Sequence, residues 1–196
     1  MANYWQYNAA SNIINHPHGG TWGDGGTTDY AQIGATGVVN FRGAAGLVLG
    51  SCYGNEIGWS QAAAVQNTWY NISDADIADG ILRSVTHDGS GLLTVTEPGI
   101  YYISYSLVFE CDTQSKHVEA GIEISSSGSA DVKGRSHIEI ANVEALANTQ
   151  WCVAAMNYYD LADNATIEVA IRTTDTGTPA LAVDHINLTC LQVAGT

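Results

Sequence analysis

Thr94–Glu110, TVTEPGIYYISYSLVFE, is the stretch on which the fold turns. Its step Glu97-Pro98-Gly99 cannot continue a regular element, because proline lacks an amide donor and fixes φ while glycine suits turn angles. The run after it is rich in β-branched and aromatic residues, the composition of a strand. Side chains of a strand alternate between its two faces. Tyr101, Ile103, Tyr105, Leu107 and Phe109 therefore share one face, and their size marks it as core. The other face carries Ile100, Tyr102, Ser104, Ser106 and Val108, with no charge before Glu110. A solvated face would carry Lys or Glu, so this second face reads as covered by protein.

Thr149–Tyr159 repeats the pattern. Trp151, Val153, Ala155 and Tyr159 form one face, and Cys152, Ala154, Met156 and Tyr158 the other. A two-layer sandwich covers only one side of each sheet. The second side then needs an identical subunit or the N-terminal part of the chain, and the subunit is the simpler cover.

The rest of the chain from about Gly58 reads as short strands with regular punctuation. Thr68–Ile72, Leu82–Thr86 and Leu92–Thr96 are strands, the last two flanking a hairpin turn at His87–Gly91. His117–Ile124 alternates Val118, Ala120, Ile122 and Ile124 against His117, Glu119 and Glu123. Ser125–Ala130 reads as a polar loop, Arg135–Ile140 as a strand, and Asn142–Ala147 as at most one helical turn. Asn164–Arg172 alternates again, and Leu181–Val193 closes the chain. About eight or nine short strands without a 3.6-residue period mean an all-β sandwich or barrel. Residues 1–57 differ. Asn15–Gly20 and Gly23–Asp29 are turn chemistry, and Gly34–Gly50 mixes glycine with short apolar runs. They read as an irregular Gly-rich arm, with residues 58–196 as the folded domain. Trp5 and Trp22 are the arm's aromatic anchors, since buried aromatic residues commonly dominate interfaces.

Composition narrows the function. The 196 residues carry 6 Lys+Arg against 20 Asp+Glu, a net charge of −14. That field repels phosphate backbones and anionic membranes, so neither nucleic acid nor a lipid surface is expected as a partner. No basic-then-apolar leader and no apolar run of about 20 residues is seen. The four cysteines Cys52, Cys111, Cys152 and Cys190 form no CxxC pair and read as buried free thiols.

No catalytic constellation is expected. GxSxG, HExxH and a Walker loop are all absent. His117-Val118-Glu119 has the H-x-E spacing of zinc deaminases but lacks the Pro-Cys-x-x-Cys partner. No cofactor is expected. For a metal, the candidate is Asp74, Asp76 and Asp79 near Gly80, hard oxygen ligands that suit Ca²⁺. The spacing does not match an EF-hand, and the stretch reads more simply as a solvated turn in which Asp caps its own backbone. His16-Pro17-His18 is a weaker metal candidate, with His87 or an Asp as third ligand.

Gly91–Ser104, an extended run followed by Pro-Gly and then Gly-x-Tyr-x-aliphatic, resembles the strand–turn–strand signature of C1q/TNF-like jelly rolls. Tyr159–Val169, a Leu before an acidic turn and an alternating strand, is similar to that family's second signature. His185–Val193 is similar to its closing strand. The resemblance covers roughly residues 59–195. It implies a ten-strand jelly-roll sandwich and a homotrimer in which one sheet faces the threefold axis. Tyr102, Ser104, Ser106, Ala154, Met156 and Tyr158 would then form the trimer interface. The chain shows no collagen stalk or transmembrane anchor. Gly58-Trp59-Ser60, Val65–Tyr70 and the closing strand look like tailed-bacteriophage virion proteins of this fold, which serve as capsid decoration (cement) trimers, head spikes or fibre tips. The resemblance implies a non-enzymatic virion protein that docks through its arm on the major capsid protein or another virion protein. The alternatives are a tail-fibre or spike tip that binds a host receptor or glycan, through loops such as 111–116 and 125–134, and a secreted C1q-like recognition module.

Overall fold

A computed structural model describes residues 6–8, 13–15, 31–33, 39–41, 48–113, 116–126, 129–140 and 149–195. Two compact units divide between Leu47 and Val48. In the first, β1 (Gln6–Asn8) pairs antiparallel with β2 (Ile13–Asn15), and β3 (Ala31–Ile33) with β4 (Val39–Phe41). The boundary corrects the expected one at 57/58. β5 (Leu49–Asn55), assigned to the arm from its glycines, is a strand of the sandwich.

The second unit is two antiparallel sheets without a helix among the described residues. One sheet runs β14 (Gln150–Leu161), β11 (Gly99–Cys111), β16 (Leu181–Gly195), β5, β8 (Ala78–Arg83), with β6 (Ser60–Gln61) also on β16. The other runs β13 (Ser129–Ile140), β12 (Lys116–Ser126), β15 (Thr166–Thr173), β10 (Leu93–Val95), β9 (Val85–His87), with β7 (Tyr70–Asn71) also on β15. The expected polar loop at Ser125–Ala130 is shorter than expected: Ser125 pairs with Ala130 and Ser126 with Ser129. Asn142–Ala147 lies outside the described residues.

The opening stretch behaves as its alternation dictates. Tyr101, Ile103, Tyr105, Leu107 and Phe109 of β11 are buried between the sheets against Val118, Ala120 and Ile122 of β12 and Ile167, Val169 and Ile171 of β15. The Tyr101 hydroxyl reaches back and donates to the Glu97 carbonyl at 2.6 Å, closing the Glu97-Pro98-Gly99 turn that starts the strand. Tyr105 crosses the sandwich. Its hydroxyl donates to the Ala120 carbonyl of the opposite sheet at 2.8 Å, in the buried interior. Tyr105→Phe should therefore cost about 1.5 kcal/mol, as a lower urea midpoint with unchanged slope, because a buried carbonyl loses its donor.

Both ends of the sandwich chain meet at one pole. The Gln192 amide donates to the Val48 carbonyl at 3.0 Å, and Gly99 pairs with Gly195. At the opposite pole the Asp112 amide donates to Ala180 O at 3.1 Å, the Ala180 amide donates to Asp112 Oδ1 at 2.8 Å, and Lys116 Nζ donates to Thr176 O at 2.5 Å.

Candidate functional site

The outward face of the β14-β11-β16-β5-β8 sheet is the candidate site. Register builds it in rows across the strands. One row is Tyr158, Tyr102, Leu191, Leu49 and Arg83. The next is Met156, Ser104, Thr189 and Ser51, and the third is Ala154, Ser106, Asn187, Tyr53 and Ala78. A fourth holds Cys152, Val108, His185 and Asn55. All six residues proposed from the sequence thus fall on this one face, in three adjacent cross-strand pairs of β11 and β14. The Tyr102 hydroxyl donates to Met156 Sδ at 2.9 Å, and the rings of Tyr102 and Tyr158 tilt together at 5.5 Å. Asn187 Nδ2 donates to Ser106 Oγ at 3.3 Å.

This face is nearly uncharged where a solvated sheet would be charged, and it exposes large apolar side chains among small polar ones. Met156 is 67% exposed and Tyr158 61%. Of the seven large exposed hydrophobic side chains among the described residues, only Val65 lies off this sheet; Tyr53, Ile81, Ile100, Met156, Tyr158 and Val193 are on its strands. Charge is confined to the margins, at Asp160, Glu110, Arg83 and Asp184, whose carboxylate accepts from Gln150 at the end of β14. Scattered exposed apolar residues are ordinary, but a contiguous patch marks an interaction surface. Sequence reasoning placed Ile100 on this face from the alternation of β11 but missed Tyr53, Ile81, Leu191 and Val193, which needed the strand order.

The opposite sheet has a different outer face. Arg172 Nε and Nη2 donate to Glu119 Oε2 at 2.9 and 2.6 Å, and the guanidinium lies 4.5 Å from the Trp69 ring centroid. Glu123 stands opposite Glu168 on the neighbouring strand. The module therefore has one charged and one nearly uncharged broad face.

Two of the described histidines are held in hydrogen bonds to neighbouring carboxylates. His87 is fully buried, its Nδ1 2.5 Å from Asp79 Oδ1, while its Nε2 accepts the Gly91 amide at 2.9 Å. Accepting at Nε2 leaves the proton on Nδ1, so the ring is a neutral structural bridge with no lone pair aimed at a substrate. His117 Nδ1 lies 2.8 Å from Asp175 Oδ2, which also accepts the His117 amide; that amide bond, ahead of the imidazole, holds the Asp175 carboxyl below its usual range.

The candidate calcium ligands are engaged separately. Asp74 Oδ1 accepts the Asp76 amide at 2.9 Å, the self-capped turn that the sequence favours, and Asp79 is bound to His87. Among the described residues no three His, Cys, Asp or Glu side chains converge on a metal position. Trp5, Trp22, His16 and His18 lie outside the described residues.

All four cysteines are free thiols, but only two are fully buried. Burial pushes the Cys52 thiol up to about 12 and the Cys190 thiol up to about 11, leaving both inert. Cys152 is exposed on the apolar face, against the expectation of a buried thiol, because the alternation of β14 turns it outward with Ala154 and Met156.

No protein-family model and no curated protein matches the chain by sequence. Solved structures match its shape. The structure of Eiger TNF from S. frugiperda aligns with a TM-score of 0.57 at 9% identity, over 76% of this chain and 94% of that chain. A crystal structure of murine APRIL aligns with a TM-score of 0.49 at 10% identity, over 74% of this chain and 99% of that one. Identities this low speak of fold alone. With two antiparallel sheets and the Eiger alignment across three quarters of its length, the chain has the C1q/TNF-like jelly-roll fold.

Proposed function

We propose that this chain is a non-enzymatic structural protein that assembles as a homotrimer through the outward face of the β14-β11-β16-β5-β8 sheet. In this reading, residues 1–47 fix the trimer to a virion surface. The observation that carries the reading is the uncharged centre of that face, which exposes Met156 and Tyr158 beside small polar residues, with charge only at its margins. Three copies packed around one axis would remove Tyr102, Met156 and Tyr158 from water, at about 25 cal/mol for each Å² of apolar surface buried. The small residues Ser104, Ser106 and Ala154 let strands of neighbouring copies approach closely. His87 and the two buried thiols are committed to structure, which supports a role without chemistry.

The virion setting and the capsid partner rest on the resemblance of Gly58–Tyr70 and the closing strand to phage proteins. Deleting residues 1–47 tests the division of labour. The truncated chain, beginning at the compact unit's first residue, should stay trimeric in sedimentation yet fail to bind purified particles. Three identical attachment points raise avidity without any new contact, so the loss should exceed tenfold. Truncated protein that still binds particles would remove the arm as anchor. Copy number per particle separates a shell component from a tail tip: hundreds of copies mean the shell, a handful the tail.

A further inference from the structure

The outward face of the β14-β11-β16-β5-β8 sheet ends in two margins of opposite charge. β14 is one outer strand and β8 the other. Asp160 is exposed on β14, on the same face as Tyr158 and two residues beyond it. Arg83 is exposed at the end of β8, in the row of Tyr158, Tyr102, Leu191 and Leu49. Within one copy the two outer strands are about 19 Å apart, at ~4.8 Å from strand to strand. Neither Arg83 nor Asp160 has an ion pair among the described residues. In a chain with 6 Lys+Arg against 20 Asp+Glu, an arginine without a carboxylate is unexpected.

The rows show what these margins meet in a ring. A cyclic assembly uses a heterologous contact, in which one margin of each copy faces the other margin of the next. Rotation about an axis along the strands keeps every row at its own height. The Ile81 amide donates to Ser51 Oγ at 3.0 Å, which brings Ile81 to the row of Met156, Ser104, Thr189 and Ser51. Met156 of one copy is then level with Ile81 of the next, and both are exposed large apolar side chains. Tyr158 is level with Arg83. Asp160 lies one row further, about 7 Å along the strand, within reach of a guanidinium. Glu110, opposite Gln150, lies four rows from Tyr158 in the other direction, about 27 Å away.

Building on the self-assembly reading above, we propose that Arg83 of each copy pairs with Asp160 of the next, its guanidinium against the Tyr158 ring, and that this pair decides which margin meets which. A cation over an aromatic face is attracted to it. Like margins brought together would set Arg83 against Arg83 or Asp160 against Asp160, and like charges across an interface suppress the wrong arrangement. The contact of Met156 with Ile81 supplies apolar burial, and the charge pair supplies direction.

Sedimentation velocity of the full chain over a dilution series reads the pair. Arg83→Glu and Asp160→Lys should each raise the concentration at which the assembly dissociates by about tenfold, because each sets like charges together at every junction. The double variant Arg83→Glu/Asp160→Lys restores opposite charges at every junction and should return to within about threefold of the parent. Should a reversal fail to fold, Arg83→Gln and Asp160→Asn close the same cycle, with their double variant losing no more than either single one. A double reversal as weak as both single ones combined would overturn the pair and leave self-assembly standing. So would single reversals that dissociate as the parent does. A parent chain that is monomeric throughout the series would overturn the self-assembly reading, and the pair with it.

Discussion

Met156→Arg is expected to leave the chain folded but to hold it at the mass of one copy, 20.7 kDa, in sedimentation velocity, where the proposed trimer of the parent chain would sediment at three times that mass. Met156 is two-thirds exposed in the single chain and accepts only the Tyr102 hydroxyl, so the variant should not disturb the sandwich. In a packed interface the same guanidinium would be a buried charge without a partner, and such a charge costs several kcal/mol. Repeated on three copies, that penalty exceeds what a patch of this kind supplies. Thr86→Arg, on the exposed side of the other sheet, is the control and should sediment as the parent does. A parent chain that is monomeric at working concentration would remove the assembly reading altogether.

Phe109→Ala should produce the largest loss of stability among single core changes. The ring is fully buried at the end of β11, 6.1 Å from the ring centroid of Trp151 on β14. Removing it forfeits transfer free energy and leaves a cavity that rigid strands on both sides cannot close. The expected cost is about 3–5 kcal/mol. For a module of this size, that lowers Tm by about 10 °C. Measurements at one fixed protein concentration keep assembly from masking the change. A cost under about 1 kcal/mol would mean that Trp151 and its neighbours collapse into the space.

The parts of the fold legible in the sequence are those that a period of two can carry. β11, β12, β14 and β15 were readable because large apolar residues alternate with small or polar ones along them. β5 was not, and the reason is steric. Its Gly50 and Gly54 looked like loop punctuation, but a Cβ on Gly50 would come within 2.4 Å of Val85 Cγ1, and one on Gly54 within 2.4 Å of Ile57 Cγ2. These glycines make room for neighbouring side chains, at Gly50 for the sequence-distant Val85 and Cys190 and at Gly54 for Ile57 packed with Ile77 and Ile186. The outward face of the β14-β11-β16-β5-β8 sheet divides the same way. Tyr102, Ser104, Ser106, Ala154, Met156 and Tyr158 could be grouped from two alternating runs. Tyr53 and Val193 could join them only once β16 was known to lie between β11 and β5. The opposed carboxylates of Glu123 and Glu168 were each legible as outward residues, but nothing local fixes the register that sets them face to face.

The meeting of Val48 with Gln192 gives the module a direction. Whatever precedes the first strand of the sandwich and whatever is fused after its last one depart from a single pole, side by side. β11 runs from that pole to the other over thirteen residues, a span of roughly 40 Å. The tied loops around Asp112 and Gly177 are therefore the tip of a short mast, and a peptide grafted there would stand clear of whatever surface holds the base.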